Sequence, residues 1–236
     1  MAQIMVGDLE IEVVRKKIKN LNLGLYPPHG QVRMSVPLRA DEATIRSFAL
    51  SKLGWIKKHQ AKFALQAKQQ PPEFVTGEIH YFGGQPYTLN VIYQPGPPRV
   101  AVRNQSTLDL MVPVGSAAAQ REKVLSTWYR QQLKQAIPPL IEKWSPIMGV
   151  KVNEWGVKQM KTRWGSCNIK AKRIWLSLEL ARKSSQCLEY IVVHELVHLL
   201  ERHHNNRFYA FMDKFLPHWR LLKDALNQSL METPHV

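Results

Sequence analysis

The residues with the clearest chemical capability are His194-Glu195-Leu196-Val197-His198, set in the apolar run Tyr190-Ile191-Val192-Val193-His194-Glu195-Leu196-Val197-His198-Leu199-Leu200. Positions four apart on an α-helix share a face, so His194 and His198 can present their imidazoles to one cation. Glu195 lies one step round, where it can hold a water on that cation without taking a ligand position. Two nitrogen donors, a carboxylate base and an open coordination position are what a zinc hydrolase requires, so Zn2+ is the expected cofactor and Glu195 the expected catalytic residue. The plain alternative is a buried helix with two incidental histidines. The apolar context weighs against it, because two His and a Glu in a core helix are costly unless paired or metal-bound.

A catalytic zinc usually has a third protein ligand. His203 and His204 follow, but a continuous helix rotates both away from the face of His194 and His198. The helix must therefore end near Glu201 or Arg202 and the chain turn back. His204 stands at the offset of the third ligand in the HExxHxxGxxH pattern, with His203 and Asp213 as alternatives. Glu201 occupies the glycine position of that pattern, so the turn is made differently, and Asn205 and Asn206 tolerate unusual backbone angles. Cys167 could act as a soft ligand or nucleophile, although a small buried thiol is the simpler reading.

These side chains need elements to position them. Ser184-Ser185 offers an N-cap for the motif helix, expected from about 186 to 202. Ahead of it, 157–166 and 173–178 read as strands joined by the basic turn Lys170-Ala171-Lys172. Arg163-Trp164-Gly165-Ser166-Cys167 lies in this region, with Arg163 and Trp164 as candidate substrate-binding residues. An edge strand there could pair with an extended substrate. Beyond the motif, Asn205 can cap a helix that buries Phe208, Phe211, Met212 and Phe215, and Trp219 begins an amphipathic tail.

The rest of the chain alternates between strand and helix patterns. Leu9–Val14, the region 18–25 and Gln31–Val36 suggest a small antiparallel sheet with a turn at 26–30. Asp41 is a candidate N-cap for helical spacing through Ile45, Ala49, Trp55 and Ile56, with a kink or break at Gly54 and Trp55 read as core. Strand patterns return at 79–82 and 87–93 around the two-residue turn Gly83-Gly84, then at 99–102 and 107–113. His80 reads as surface polar, and no long internal repeat is visible. Gly115-Ser116-Ala117-Ala118 is the candidate boundary, followed by a helix from 119 to about 144 that Pro138-Pro139 should bend or divide. The expectation is an α+β protein: a β-rich, antiparallel N-terminal domain with helices over 1–118, then a small metal-binding catalytic domain over 119–236.

Composition sets limits. The 236 residues are 44% hydrophobic, with no run of eighteen apolar residues to span a membrane. Neither a basic start nor an apolar signal core opens the chain, and the two cysteines, Cys167 and Cys187, form no CxxC pair; a cytoplasmic location is expected. The formal charge of +15 favours anionic partners such as nucleic acid or nucleotide.

The segments Arg163-Trp164-Gly165-Ser166-Cys167, Tyr190 to Leu199, His204-Asn205-Asn206-Arg207-Phe208 and Pro217-His218-Trp219 resemble the YgjP-like predicted metal-dependent hydrolases. That family is similar to the minimal gluzincin, SprT-like and WLM metallopeptidases. The resemblance implies a zincin-like fold for 119–236, with zinc held by His194, His198 and His204 and Glu195 as general base. Peptide hydrolysis is the activity such a motif most often serves. The charge also admits a phosphate-bearing substrate, including a nucleoside triphosphate cut to monophosphate and pyrophosphate, although no Gly-rich phosphate loop is visible. A non-enzymatic reading is a basic nucleic-acid-associated module with a structural metal site.

Overall fold

The structure, a computed structural model, describes residues 2–26, 30–67, 72–160 and 162–229. Residues 27–29 of the turn expected at 26–30 lie outside the described residues. Contacts divide the chain into two units, Met1–Pro71 and Pro72–His235.

The first unit contains β1 (Ala2–Val6), β2 (Leu9–Lys16), β3 (Asn22–Tyr26), β4 (Gln31–Pro37), α1 (Glu42–Ser51) and α2 (Leu53–Ala67). Its sheet has the order β1-β2-β4-β3; the flanking pairs are antiparallel and the central pair β2–β4 is parallel. Alternation buries Ile11 and Val13 of β2 and Val32, Met34 and Val36 of β4, with Ile45 and Ala49 of α1 and Ile56 of α2 in the same core. Asp41 caps α1 as expected, its Oδ1 accepting from the Thr44 amide at 2.7 Å. The break between the helices falls at Lys52 rather than Gly54. Trp55 is a correction: it is 44% exposed, and Ile56, one helical step of ~100° away, takes the inward position.

The second unit begins with β5 (Ile79–Phe82), β6 (Gln85–Tyr93), β7 (Arg99–Asn104) and β8 (Thr107–Val112), joined at β5–β6 by the expected Gly83-Gly84 turn. The order β5-β6-β8-β7, with an inner parallel pair and outer antiparallel pairs, repeats the first sheet strand for strand. In both, a Val-Pro ends the last strand (Val36-Pro37 and Val112-Pro113), and a helix cap follows at Asp41 or Ala117. The repetition is one of topology, which is why residue identities do not reveal it. His80 is also corrected: it is 7% exposed, its ring stacked 5.5 Å from Phe74 and its Nε2 3.1 Å from Glu78 Oε2.

Helix α3 (Ala118–Met148) runs unbroken through Pro138, Pro139 and Pro146 to Gly149, whose φ of 65° closes it. An interior proline typically costs about 3 kcal/mol. The buried stripe Leu125, Trp128, Leu133, Ile137, Trp144 and Met148 holds the helix together across that gap. Leu89, Leu108 and Leu110 of the second sheet share this core, so the contact boundary falls before β5 rather than at Gly115–Ala118. The apolar face of that sheet is covered by α3, which ties the two together.

The expected strand over 157–166 is two strands, because each segment finds a different neighbour. β9 (Glu154–Lys158) runs parallel to β11 (Arg173–Ser177), while β10 (Gly165–Asn168) is antiparallel to β11 and forms the opposite edge of the sheet from β9. A short 3₁₀ turn, Leu178–Arg182, leads into α4 (Ser185–Val197), α5 (Asn206–Phe215) and α6 (Trp219–Ser229). The architecture is α+β. Among the described residues no helix is long and apolar enough to cross a membrane.

Candidate metal centre

Helix α4 is apolar on nearly every side because it is the centre of the second core: Leu188, Ile191, Val192, Val193, Leu196 and Val197 are all buried. Ser184 Oγ accepts from the Cys187 amide at 3.3 Å and sets its start. The helix ends at Val197, ahead of the expected Glu201–Arg202. Leu199 and Leu200 donate to the carbonyls of Leu196 and Val197, three residues back, which tightens the last turn.

The turn that follows has no glycine. Glu201 Oε1 accepts from the His203 amide at 3.1 Å, and the Asn205 amide donates to the His203 carbonyl at 2.8 Å. The His203 amide holds the Glu201 carboxyl below its ordinary range. Among the described residues, the non-glycine positive φ angles are at Phe74 and Lys172, so no left-handed residue is used here. Asn205 is extended, at φ −102° and ψ −177°, and serves as the N-cap of α5, its Oδ1 accepting from the Phe208 amide at 3.0 Å. Side-chain capping thus replaces the unusual backbone angles expected of Asn205 and Asn206.

The turn carries His204 back to the motif. His204 Nε2 lies 3.1 Å from His194 Nε2, and ligand-capable nitrogens of His194, His198 and His204 all fall within 4.8 Å of one another. Among the described residues this is the one such group of three. His203 stays outside it, and Asp213 instead accepts from Trp219 Nε1 at 2.8 Å and pairs with Arg220. The buried Phe208 ring packs against all three imidazoles, at centroid distances of 5.0, 4.8 and 4.6 Å. The sequence marks Phe208 only as core.

Three neutral imidazoles are a donor set suited to zinc and its neighbours. Burial, then the charges of His198, His204 and Lys223, pushes His194 down to about 3. Burial lowers His198 against the pull of the Glu201 carbonyl, and burial with Lys223 lowers His204. His198 Nδ1 is 3.2 Å from the Glu201 carbonyl, which can only accept. Nδ1 therefore carries the hydrogen and Nε2 keeps its lone pair for a cation. His194 Nδ1 is buried with no hydrogen-bond partner. Two Nε2 atoms at 3.1 Å can share one proton at most, whereas a cation satisfies both lone pairs. These residues fit a metal.

Glu195 is 4% exposed, and burial pushes its carboxyl up to about 8 while Arg163 pulls the other way. Its Oε2 has no partner. The carboxylate lies against Gly165 of β10, where a Cβ would come within 2.9 Å of both Glu195 Cγ and Cδ. Sequence reasoning missed Gly165; a glycine inside a strand pattern was the available signal. Burial, then Glu195, raises the Cys167 thiol to about 12, and Cys167 lies outside the group of three potential metal ligands.

A cleft of about 910 Å³ opens over these groups, bounded by β10 and its flanks from Arg163 to Lys170, by α4, and by Arg202, Lys223 and Leu226. Arg163 and Trp164 both line it, where the sequence suggests a substrate would sit.

A cradle of neutral imidazoles with a carboxylate beside it, open to a substrate cleft, suits a metal-dependent hydrolase. The chain belongs to the YgjP-like family: that family's metallopeptidase-domain model matches residues 21–229. Among solved structures, the chain is similar to the metallopeptidase zymogen abylysin of Pyrococcus abyssi, at 21% identity and a TM-score of 0.38, over 40% of this chain and 94% of that one. It is also similar to the metallopeptidase zymogen jannalysin of Methanocaldococcus jannaschii, at 20% identity and a TM-score of 0.34, over 42% and 96%. No curated protein matches the chain.

Proposed function

We propose that the protein is a zinc-dependent metallopeptidase in which His194, His198 and His204 hold the metal and Glu195 is the general base, with the catalytic work confined to 119–236. The observation that carries this reading is the convergence of the three imidazoles over Phe208, beside the buried Glu195. When bound, the zinc would polarise the scissile carbonyl and acidify water. Glu195 takes the proton from the attacking water at a carboxylate oxygen and delivers it to the departing amine nitrogen. A carboxyl can serve in both directions, accepting the proton as a base and returning it as an acid. The free edge of β10 offers main-chain groups to an extended peptide, and Arg163 and Trp164 flank that edge.

A second reading, hydrolysis of a nucleoside triphosphate to monophosphate and pyrophosphate, is favoured by the basic lining of the cleft. The test is bound metal by mass spectrometry, with turnover of wild type and Glu195→Gln on unstructured proteins and on nucleoside triphosphates. About one zinc per chain with Glu195-dependent proteolysis supports the peptidase; Glu195-dependent release of pyrophosphate selects the alternative. Turnover indifferent to Glu195 overturns both. A nucleic-acid-binding module instead predicts steeply salt-dependent binding that Glu195→Gln leaves intact.

A further inference from the structure

We propose that the cleft selects peptides carrying acidic side chains around the bond to be cut; this rests on the peptidase reading above. Among the described residues its walls hold four cations, Arg163, Lys170, Arg202 and Lys223, and a single acid, Glu195. Asp224, next to Lys223 on α6, does not line it.

The four cations are not balanced from outside the cleft. Arg163, Lys170 and Arg202 are exposed and take part in none of the ion pairs among the described residues. Lys223 rests over the Trp219 ring at 5.7 Å, which leaves its charge uncancelled. Six arginines elsewhere are matched, Arg33 with Glu12, Arg46 with Glu42, Arg103 with Asp109, Arg173 with Glu154, Arg182 with Glu179 and Arg220 with Asp213, while Arg15, Arg39, Arg99, Arg121, Arg130 and Arg207 take part in none of these ion pairs. A deficit of acids over the whole chain makes some cations unpaired, but does not gather four of them around one cleft. Like charges in a concave site repel one another and lower each other's hydration, a cost that an anionic ligand relieves.

Placement turns the charge into selectivity for a chain. Arg163 precedes β10 and Lys170 follows it, so a strand laid along that edge passes a cation at each end. Arg202, from the turn after α4, and Lys223, from α6, line the same cleft. Alternate side chains of an extended peptide point to one face. Acidic residues at such positions then meet cations while the backbone pairs with β10. A nucleotide or nucleic acid would use the cations but not the strand edge, which is why the peptide is favoured.

The test is binding of fluorescein-labelled peptides of equal length to full-length Glu195→Gln protein, read by anisotropy with Zn2+ and again in chelator. The chelator arm separates the cations from the pull of zinc on carboxylates. One peptide alternates Glu or Asp, one substitutes Gln or Asn at those positions, and one substitutes Lys. The acidic peptide should bind about tenfold tighter than the amide version at low salt, with the margin shrinking at high salt. Arg163→Glu with Lys170→Glu, both exposed positions, should reverse the order in favour of the Lys peptide. Equal affinity for acidic and amide peptides overturns the proposal, as does an acidic preference that survives the double reversal. Displacement by uridine triphosphate with no peptide binding assigns the cations to phosphate instead. Cleavage is scored separately with wild-type protein. Acid-selective binding without any cleavage rejects the peptidase reading, and cleavage indifferent to acidic residues rejects only the selectivity.

Discussion

Gly165 and Glu195 meet across the interface of β10 and α4, and nothing larger than a hydrogen at 165 leaves the Glu195 carboxylate where it is. Gly165→Ala should therefore displace the carboxylate while leaving the three imidazoles untouched. A misplacement near 1 Å costs about 100-fold in rate. Turnover should fall by about that factor, with zinc content per chain unchanged; activity within threefold of wild type would show that Glu195 does not need this position.

Glu195→Gln keeps size and hydrogen-bonding capacity but removes the proposed base. Zinc should stay bound, and kcat should fall by roughly 10²–10⁴-fold. Metal analysis beside steady-state kinetics checks both halves.

The proposed third ligand is separable by mutation. Zinc binding stabilises the folded chain by an amount set by its concentration over Kd, about 2.7 kcal/mol at a hundredfold excess. The rise in melting temperature on adding zinc should persist in His203→Ala and be largely lost in His204→Ala. The opposite pattern would move the ligand to His203.

Phe208 supports all three imidazoles, so its truncation should act on fold and metal together. Phe208→Ala removes a fully buried ring and should cost roughly 3–5 kcal/mol. Phe208→Leu should be milder and remain folded, with weaker zinc affinity by competition against a chelator. Unchanged affinity in the Leu variant would mean that Phe208 is core alone.

Away from the site, Glu189 gives a pH signature. Burial raises its carboxyl, but the hydrogen bonds from Lys143 Nζ at 2.7 Å and Trp144 Nε1 at 2.9 Å, with the Lys143 charge, outweigh burial and hold it below its ordinary value. A carboxyl lowered in the folded state stabilises above its unfolded pKa and loses that contribution as pH falls through the folded one. The stability gap between wild type and Glu189→Gln should thus be present at neutral pH and close under acid, as followed by urea melts. A gap that widens under acid would reverse the sign.

Some of this was determined by the sequence alone. The four-residue spacing puts His194 and His198 on one face of any helix, and Asp41, Ser184 and Asn205 cap the helices that begin beside them. The Gly83-Gly84 turn likewise sets the β5–β6 hairpin. Each depends on neighbours within a few residues, whose geometry the backbone fixes.

Only the tertiary structure decided the rest. His204 joins the cluster because Glu201 and Asn205 cap a turn, and the same turn keeps His203 out. The space at Gly165, the inward turn of Ile56 in place of Trp55, the continuity of α3 through its prolines and the parallel pairs β2–β4 and β6–β8 depend on segments distant in the chain. A local pattern states which face of an element is apolar; which element covers it is settled by the packing of the whole core.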